Sequence, residues 1–294
     1  YVADMTTPMI MYEEWHQPGT KTLVNGYVIP AGQTGLKDIN DAVHQLFLHP
    51  NVGPFIGKQL IQRLVTSNPT PGYISRVAAV FADNGQGERG DMGAVIKAIL
   101  MDPEARTCSA LEEDRFGKLR EPFTRYTHFS KAIQMEQYYG RYWNVAYGFY
   151  QATNQMPLAS RTVFNFFLPD FQPIGAIADN GLVGPEFQIH NSRTSIEFIN
   201  RVNDWAVWGY VMDDWEAENP SVTYNIDELT PLARDPEVLI NRLDVLFTHG
   251  MLSDRTRQII KDAITPMISE DYRNDRTRLA MYLIMISPDY AIMK

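Results

Sequence analysis

A repeating apolar period of about 3.6 residues constrains this chain more than any other feature of it. Ile74, Val77, Ala78 and Phe81 fall at i, i+3, i+4 and i+7, which is one face of a helix. Met92, Val95, Ile96 and Ile99 repeat that spacing, as do Leu279, Tyr282, Leu283 and Ile286. Leu239, Leu243, Leu246 and Phe247 follow it nearly. From Asp38 onward this spacing dominates, and long helices are also expected over residues 115–134 and 193–211. The punctuation agrees. Thr70-Pro71 and Asp235-Pro236 each put a capping oxygen before a proline at the first helical position. Gly250 follows a periodic stretch, where a left-handed residue is wanted.

One strand pair stands out against this background. Asn25-Gly26 tolerates the positive φ angles of a tight hairpin turn, and β-formers flank it at 21–24 and 27–29 before Pro30. The expectation is therefore an all-α fold, a multi-helix globular domain with one small β-hairpin near its N-terminus.

Two stretches lack a period. Residues 168–186 are rich in Pro and Gly and read as loop. Residues 213–231 are acidic and read as a linker or loop. They divide the chain into a main helical domain over 1–212, incomplete at its N-terminal side, and a C-terminal helical segment over 232–294 that packs on it. Ala98-Ile99-Leu100-Met101-Asp102-Pro103-Glu104 echoes Leu283-Ile284-Met285-Ile286-Ser287-Pro288-Asp289; proline stopping two helices accounts for both, and duplicated helical units are the alternative. Near the start, Met5, Pro8, Met9, Ile10, Met11, Tyr12 and Trp15 are too apolar for a free tail. They are expected to pack on this domain's helices, on a missing N-terminal half, or on another chain.

Composition narrows the partners. The net charge of −9 argues against nucleic acid and anionic membranes, both of which reward clustered Lys and Arg. No apolar run reaches the roughly 18–20 residues of a membrane span. Cys108 is the single cysteine. An intramolecular disulfide is thus impossible, and the thiol reads as a small buried hydrophobe. No export signal is visible after Tyr1.

The order of short motifs carries a resemblance. His49-Pro50-Asn51, Val65-Thr66-Ser67-Asn68-Pro69, Arg89-Gly90-Asp91 and Asp102-Pro103-Glu104-Ala105-Arg106 are followed by Gly117-Lys118-Leu119-Arg120-Glu121-Pro122. Val163-Phe164-Asn165-Phe166-Phe167, Gly181-Leu182-Val183-Gly184-Pro185-Glu186-Phe187 and Ser287-Pro288-Asp289-Tyr290 complete the set. Each is weak alone; in this order, from about His16 to the C-terminus, they resemble the bacterial family called domain of unknown function 1800. Family members look longer at the N-terminal side. The resemblance implies export to the periplasm, cell surface or exterior, and hints at a partner, since such genes often neighbour a second uncharacterised exported family. It implies no reaction and no catalytic residues.

Candidate chemistry is sparse. Gly85-Gln86-Gly87-Glu88-Arg89-Gly90 matches a dinucleotide fingerprint, but a helical period precedes it where a strand is required, so it reads as a helix–helix turn that binds no cofactor. Asp83, Asn84, Glu88 and Asp91 could offer calcium oxygen ligands, at spacing that departs from an EF-hand. Gly53-Pro54-Phe55-Ile56-Gly57-Lys58 is one residue short of a P-loop. Histidines 16, 44, 49, 128, 190 and 249 are scattered and read as caps, turn residues or packed rings. Lys118, Arg120 and Glu121 read as a solvated or locally paired cluster, with a buried ion pair or anion contact as the alternative. Phe164, Phe166, Phe167, Phe171 and Phe187 flank the long loop and form the candidate ligand or partner surface.

No catalytic constellation is visible, so the leading expectation is a non-catalytic structural or assembly component of an exported or cell-surface bacterial complex. Its partner would be another protein chain or the missing N-terminal half. An extracellular hydrolase or polymer-processing enzyme with a site assembled from loops is the alternative. A carbohydrate-binding module using Trp205, Trp208 and Trp215 is the third.

Overall fold

The structure, a computed structural model, describes residues 6–108, 113, 115–137, 147–209, 222–267 and 269–294. It divides into two compact units, one of residues 1–61 and 70–103, the other of 62–69 and 104–294. Helices dominate both, and the strands among the described residues form three two-stranded sheets. The all-α expectation stands.

The first unit opens on the hairpin. β1 (Lys21–Thr22) pairs antiparallel with β2 (Val28–Ile29), with Lys21 opposite Ile29. Asn25 at φ 58° and Gly26 at φ 73° supply the two positive angles of the turn, and the Tyr27 amide donates to the Val24 carbonyl. The paired strands are shorter than expected, because residues 24–26 are spent on the turn. α1 (Gly35–Phe47) follows, capped by the Thr34 hydroxyl.

α2 (Val52–Leu64) and α3 (Pro71–Ala82) lie close. A Cβ at Gly57 would stand 3.1 Å from Val77 and one at Gly53 3.3 Å from Phe81, tighter than ordinary contact. α4 (Met92–Met101) packs on α3, and the Tyr73 hydroxyl donates to the Ile99 carbonyl at 2.6 Å. Tyr73, Val77, Phe81, Val95 and Ile99 are the core of this unit, with Ile29 and Ile61. Thr70 and Asp91 cap α3 and α4 as their positions before those helices predict.

The second unit begins with residues 62–69 and continues from α5 (Pro103–Arg106). A continuous helix over 115–134 does not form. Gly117 takes φ 111°, β3 (Lys118–Leu119) follows, and α6 (Pro122–Ala132) starts only at its proline. Proline at the first helical position forces Glu121 to be extended, so no helix can run through it. Beyond lie β4 (Glu136–Gln137), α7 (Tyr147–Thr153), α8 (Ala176–Asp179) and α9 (Ser192–Val202). α9 runs into a π-helical turn at Asn203–Val207, whose Trp205 and Ala206 carbonyls accept from the Tyr224 hydroxyl. The expected continuation to 211 stops at Val207: Trp208 and Gly209 are not helical, Gly209 has φ 67°, and residues 210–211 lie outside the described residues.

β5 (Val222–Thr223) pairs with β4. The 213–231 stretch lies mostly outside the described residues; of the remainder, Ile226 and Leu229 are core residues. α10 (Pro236–Phe247), α11 (Asp254–Ile264) and α12 (Arg273–Met285) pack mutually. α13 (Pro288–Ala291) leads into β6 (Ile292–Met293), antiparallel to β3. α12 is the central helix. Ala280, Met281, Ile284 and Met285 are buried, while the residues picked by period, Leu279, Tyr282, Leu283 and Ile286, pack against the same core half-buried. Burial on several sides is why period alone did not single out the innermost face.

The sequence echo extends to structure. Tyr73, Val77 and Phe81 are the buried positions of α3, and Leu239, Leu243 and Phe247 are among those of α10 at the same spacing. Asp102-Pro103 and Ser287-Pro288 each open a single-turn helix after a longer one.

Candidate functional site

Motifs dispersed along the chain meet in the second unit. Gly117 donates its amide to the Thr66 hydroxyl at 3.0 Å, and its carbonyl accepts from the Ser67 amide. Asn68 and Val183 exchange two hydrogen bonds, each 2.9 Å. Lys118 and Glu186 form an ion pair of 3.0 Å with both side chains buried. The Lys118 ammonium also donates to the carbonyls of Gln62 and Arg63 at 2.9 and 2.8 Å, which lie in the last turn of α2. Those carbonyls have no partner within their own helix, and the helix C-terminus favours a cation. Lys118 thus donates two hydrogen bonds to helix-end carbonyls and meets Glu186 as an ion pair, while both Glu186 oxygens are buried without a hydrogen-bond partner. That arrangement ties the end of α2 to β3 and to the Glu186 loop. The solvated cluster expected at Lys118 and Arg120 is therefore corrected: both side chains are buried, and the lysine's partner comes from a distant loop.

Arg120 and Arg125 stand beside the pair's strand. Arg125 Nε donates to the Arg120 carbonyl at 2.7 Å, and the guanidinium lies 4.8 Å from the Phe198 ring centre. Burial pulls its pKa down to about 10. Arg120 Nη1 bonds His128 Nδ1 at 2.9 Å, and the His128 ring stacks on Tyr290. Burial, then the Arg120 charge, push His128 down to about 4. His190 is likewise pushed to about 4, by burial and then by Arg125. Both rings are neutral at neutral pH. Sequence reasoning missed this cluster. The available signal was Arg125 at the same helical face as Pro122, Tyr126 and Phe129, a charge among buried positions.

The aromatic surface is only partly assembled. Phe166 and Phe167 line a cavity of about 490 Å³ with Tyr150, Asn154, Arg161 and Gln188. Phe167 is buried, with the Arg63 guanidinium 4.0 Å over its ring. Phe164, Phe171 and Phe187 do not line this cavity. Phe164 accepts from Arg63 through its carbonyl, Phe171 accepts from the Gly184 amide, and Phe187 covers Gly184. They hold the loop down.

The remaining motifs resolve locally. The Gly85–Gly90 run is a turn between α3 and α4, with Gly85, Gly87 and Gly90 at positive φ. Asp83 accepts from the amides of Gly85 and Gly87, and Asn84 from those of Gln86 and Glu88. Asp91 caps α4 and accepts from Asn84 at 2.8 Å. The oxygens proposed for calcium face the loop's own donors, and no group of metal-ligating side chains occurs among the described residues. Gly53–Lys58 lies on α2, so it forms no phosphate loop. Arg89 donates to the carbonyls of Phe47 and His49, closing the end of α1. Cys108 is exposed, which corrects the buried reading. Trp205 is core and unable to stack on a sugar, Trp208 is exposed, and Trp215 lies outside the described residues. No helix among the described residues is long and apolar enough to cross a membrane.

The N-terminal stretch is capped but not covered. Met11 sits over Gly35, and the Glu13 carboxylate accepts from the Gly35 amide, yet Met9, Ile10, Tyr12 and Trp15 are exposed. His16 and Lys21 both reach Asp38, at 2.9 and 2.5 Å.

Against known proteins, a family model described as protein of unknown function (DUF1800) matches residues 3–292. No curated protein and no solved structure matches.

Proposed function

The chain belongs to the DUF1800 family, and on that premise we propose that it is a non-catalytic structural or assembly component of an exported or cell-surface bacterial complex. The observation that carries this reading is the inverted face of α1. Leu36, Ile39, Val43 and Leu46 are 58%, 48%, 59% and 52% exposed. On the opposite side Asp38 is buried, held by Lys21, His16 and Gln33. Single exposed leucines are ordinary, but a contiguous apolar stripe marks a contact surface. The three-four-three spacing suits an amphipathic helix of a second protein chain, laid along α1. The buried Lys118–Glu186 pair, with Lys118 tied to the end of α2, supports a scaffold role in the other unit.

A photo-crosslinking residue at position 39 or 43, introduced in the native organism, tests the reading. The expected result is one defined protein adduct in the envelope or exterior fraction. It should be missing from a control at Lys37 and lost with Val43→Lys in the position-39 protein. Absence of an adduct from both stripe positions, or recovery of the protein in the cytoplasm alone, would overturn it.

A further inference from the structure

We infer that the cavity walled by Arg120, His249, Met251, Ile292 and Met293 binds the oxyanion group of a small organic acid whose apolar body lies on the methionines and isoleucine. This goes beyond the assembly reading and does not depend on it. The cavity measures about 610 Å³, within the usual range for small-molecule sites of about 300–1,000 Å³. Arg120 and Arg125 are 7% and 3% exposed, and neither is paired with a carboxylate among the described residues. Buried charges normally have a counter-ion, because transferring an isolated one out of water is costly. Arg120 lies close enough to depress the ionisation of Arg125, which lines a separate cavity with His190 and Ser195.

The partner that Arg120 does have explains its aim. One edge of the guanidinium bonds His128 Nδ1, and a neutral imidazole can accept there. The His128 ring is fixed from its other side by the Leu246 backbone and by stacking on Tyr290. Among the described residues the remaining N–H groups of Arg120 have no protein acceptor, and none of its nitrogens is a sealed atom lacking a partner. Arg120 lines the cavity. A planar fork of this kind suits the two oxygens of a carboxylate or phosphate. Asp289 also lines the cavity, and its Oδ2 is engaged by the Ser253 amide and hydroxyl at 3.1 and 2.8 Å.

The experiment titrates the full chain with hexanoate, inorganic phosphate and hexanol, reading the His128 and His249 ring resonances by NMR. Saturable hexanoate shifts at both rings, with no response to hexanol, are expected. Saturation by phosphate alone would keep the oxyanion site and discard the apolar body. Arg120→Gln should abolish the response. Met251→Glu puts a carboxylate at an exposed wall position and should weaken binding about tenfold, even if Arg120→Gln fails to fold. No saturable shift with either anion, equal shifts with hexanol, or unchanged affinity in Met251→Glu would overturn the inference.

Discussion

Lys118 shows how much a single side chain can decide. Its ammonium closes two helix-end carbonyls and neutralises Glu186 out of contact with water. Lys118→Met should destabilise the protein by about 3–5 kcal/mol, because Glu186 is left as an uncompensated buried charge. Adding Glu186→Leu should recover much of that loss; denaturant unfolding of the single and double variants measures both. His128 makes the complementary prediction. Its folded pKa, near 4, lies below the ordinary value of 6.5, so the unfolded chain binds the proton first. The contribution is complete above about pH 6.5 and is lost as pH falls towards 4, at up to about 1.4 kcal/mol per pH unit. His190 acts in the same direction over the same window. Stability followed from pH 7 to 4 should fall, and His128→Gln should flatten the slope. In the sequence a buried ion pair at Lys118 was only the alternative reading and its partner was invisible, because Lys118 and Glu186 meet only through tertiary folding.

At the scale of elements, sequence and structure agree where local chemistry governs. Thr70, Asp91, Asp235 and Ser287 cap the helices that their positions announce. Asn25-Gly26 makes its hairpin. They part where a distant strand intervenes. The 115–121 segment could have been helical by composition, yet Gly117 turns it into β3, opposite a strand from the far end of the chain. Gly117 is at φ 111°, and a Cβ there would stand 2.9 Å from the Met293 carbonyl oxygen. Gly117→Ala therefore meets both a strained backbone and a clash. We expect a loss of about 1–3 kcal/mol and faster amide exchange at Arg120, whose N–H donates to the Ala291 carbonyl. Unchanged stability and exchange would mean that β6 is not held by β3. The candidate site follows the same rule: the loop phenylalanines were visible as a cluster, but which of them line a cavity was set by packing.

Over the whole molecule, charge and burial tell the partner's chemistry better than any motif does. The net charge of −9 disfavours polyanions, while the apolar stripe of α1 favours a protein. That stripe was hidden in the sequence, because an amphipathic period says that a helix has two faces without saying which one is covered. In the fold Asp38 lies on the covered side, buried, with a pKa held near 2, by the Lys21 hydrogen bond foremost. The central claim is that a second chain covers α1. Amide hydrogen exchange over residues 35–47 tests it most directly, comparing the protein in its native assembly with the purified chain. The account predicts strong added protection of α1 in the assembly, removed by Ile39→Lys. Equal exchange of α1 in the two samples would contradict it.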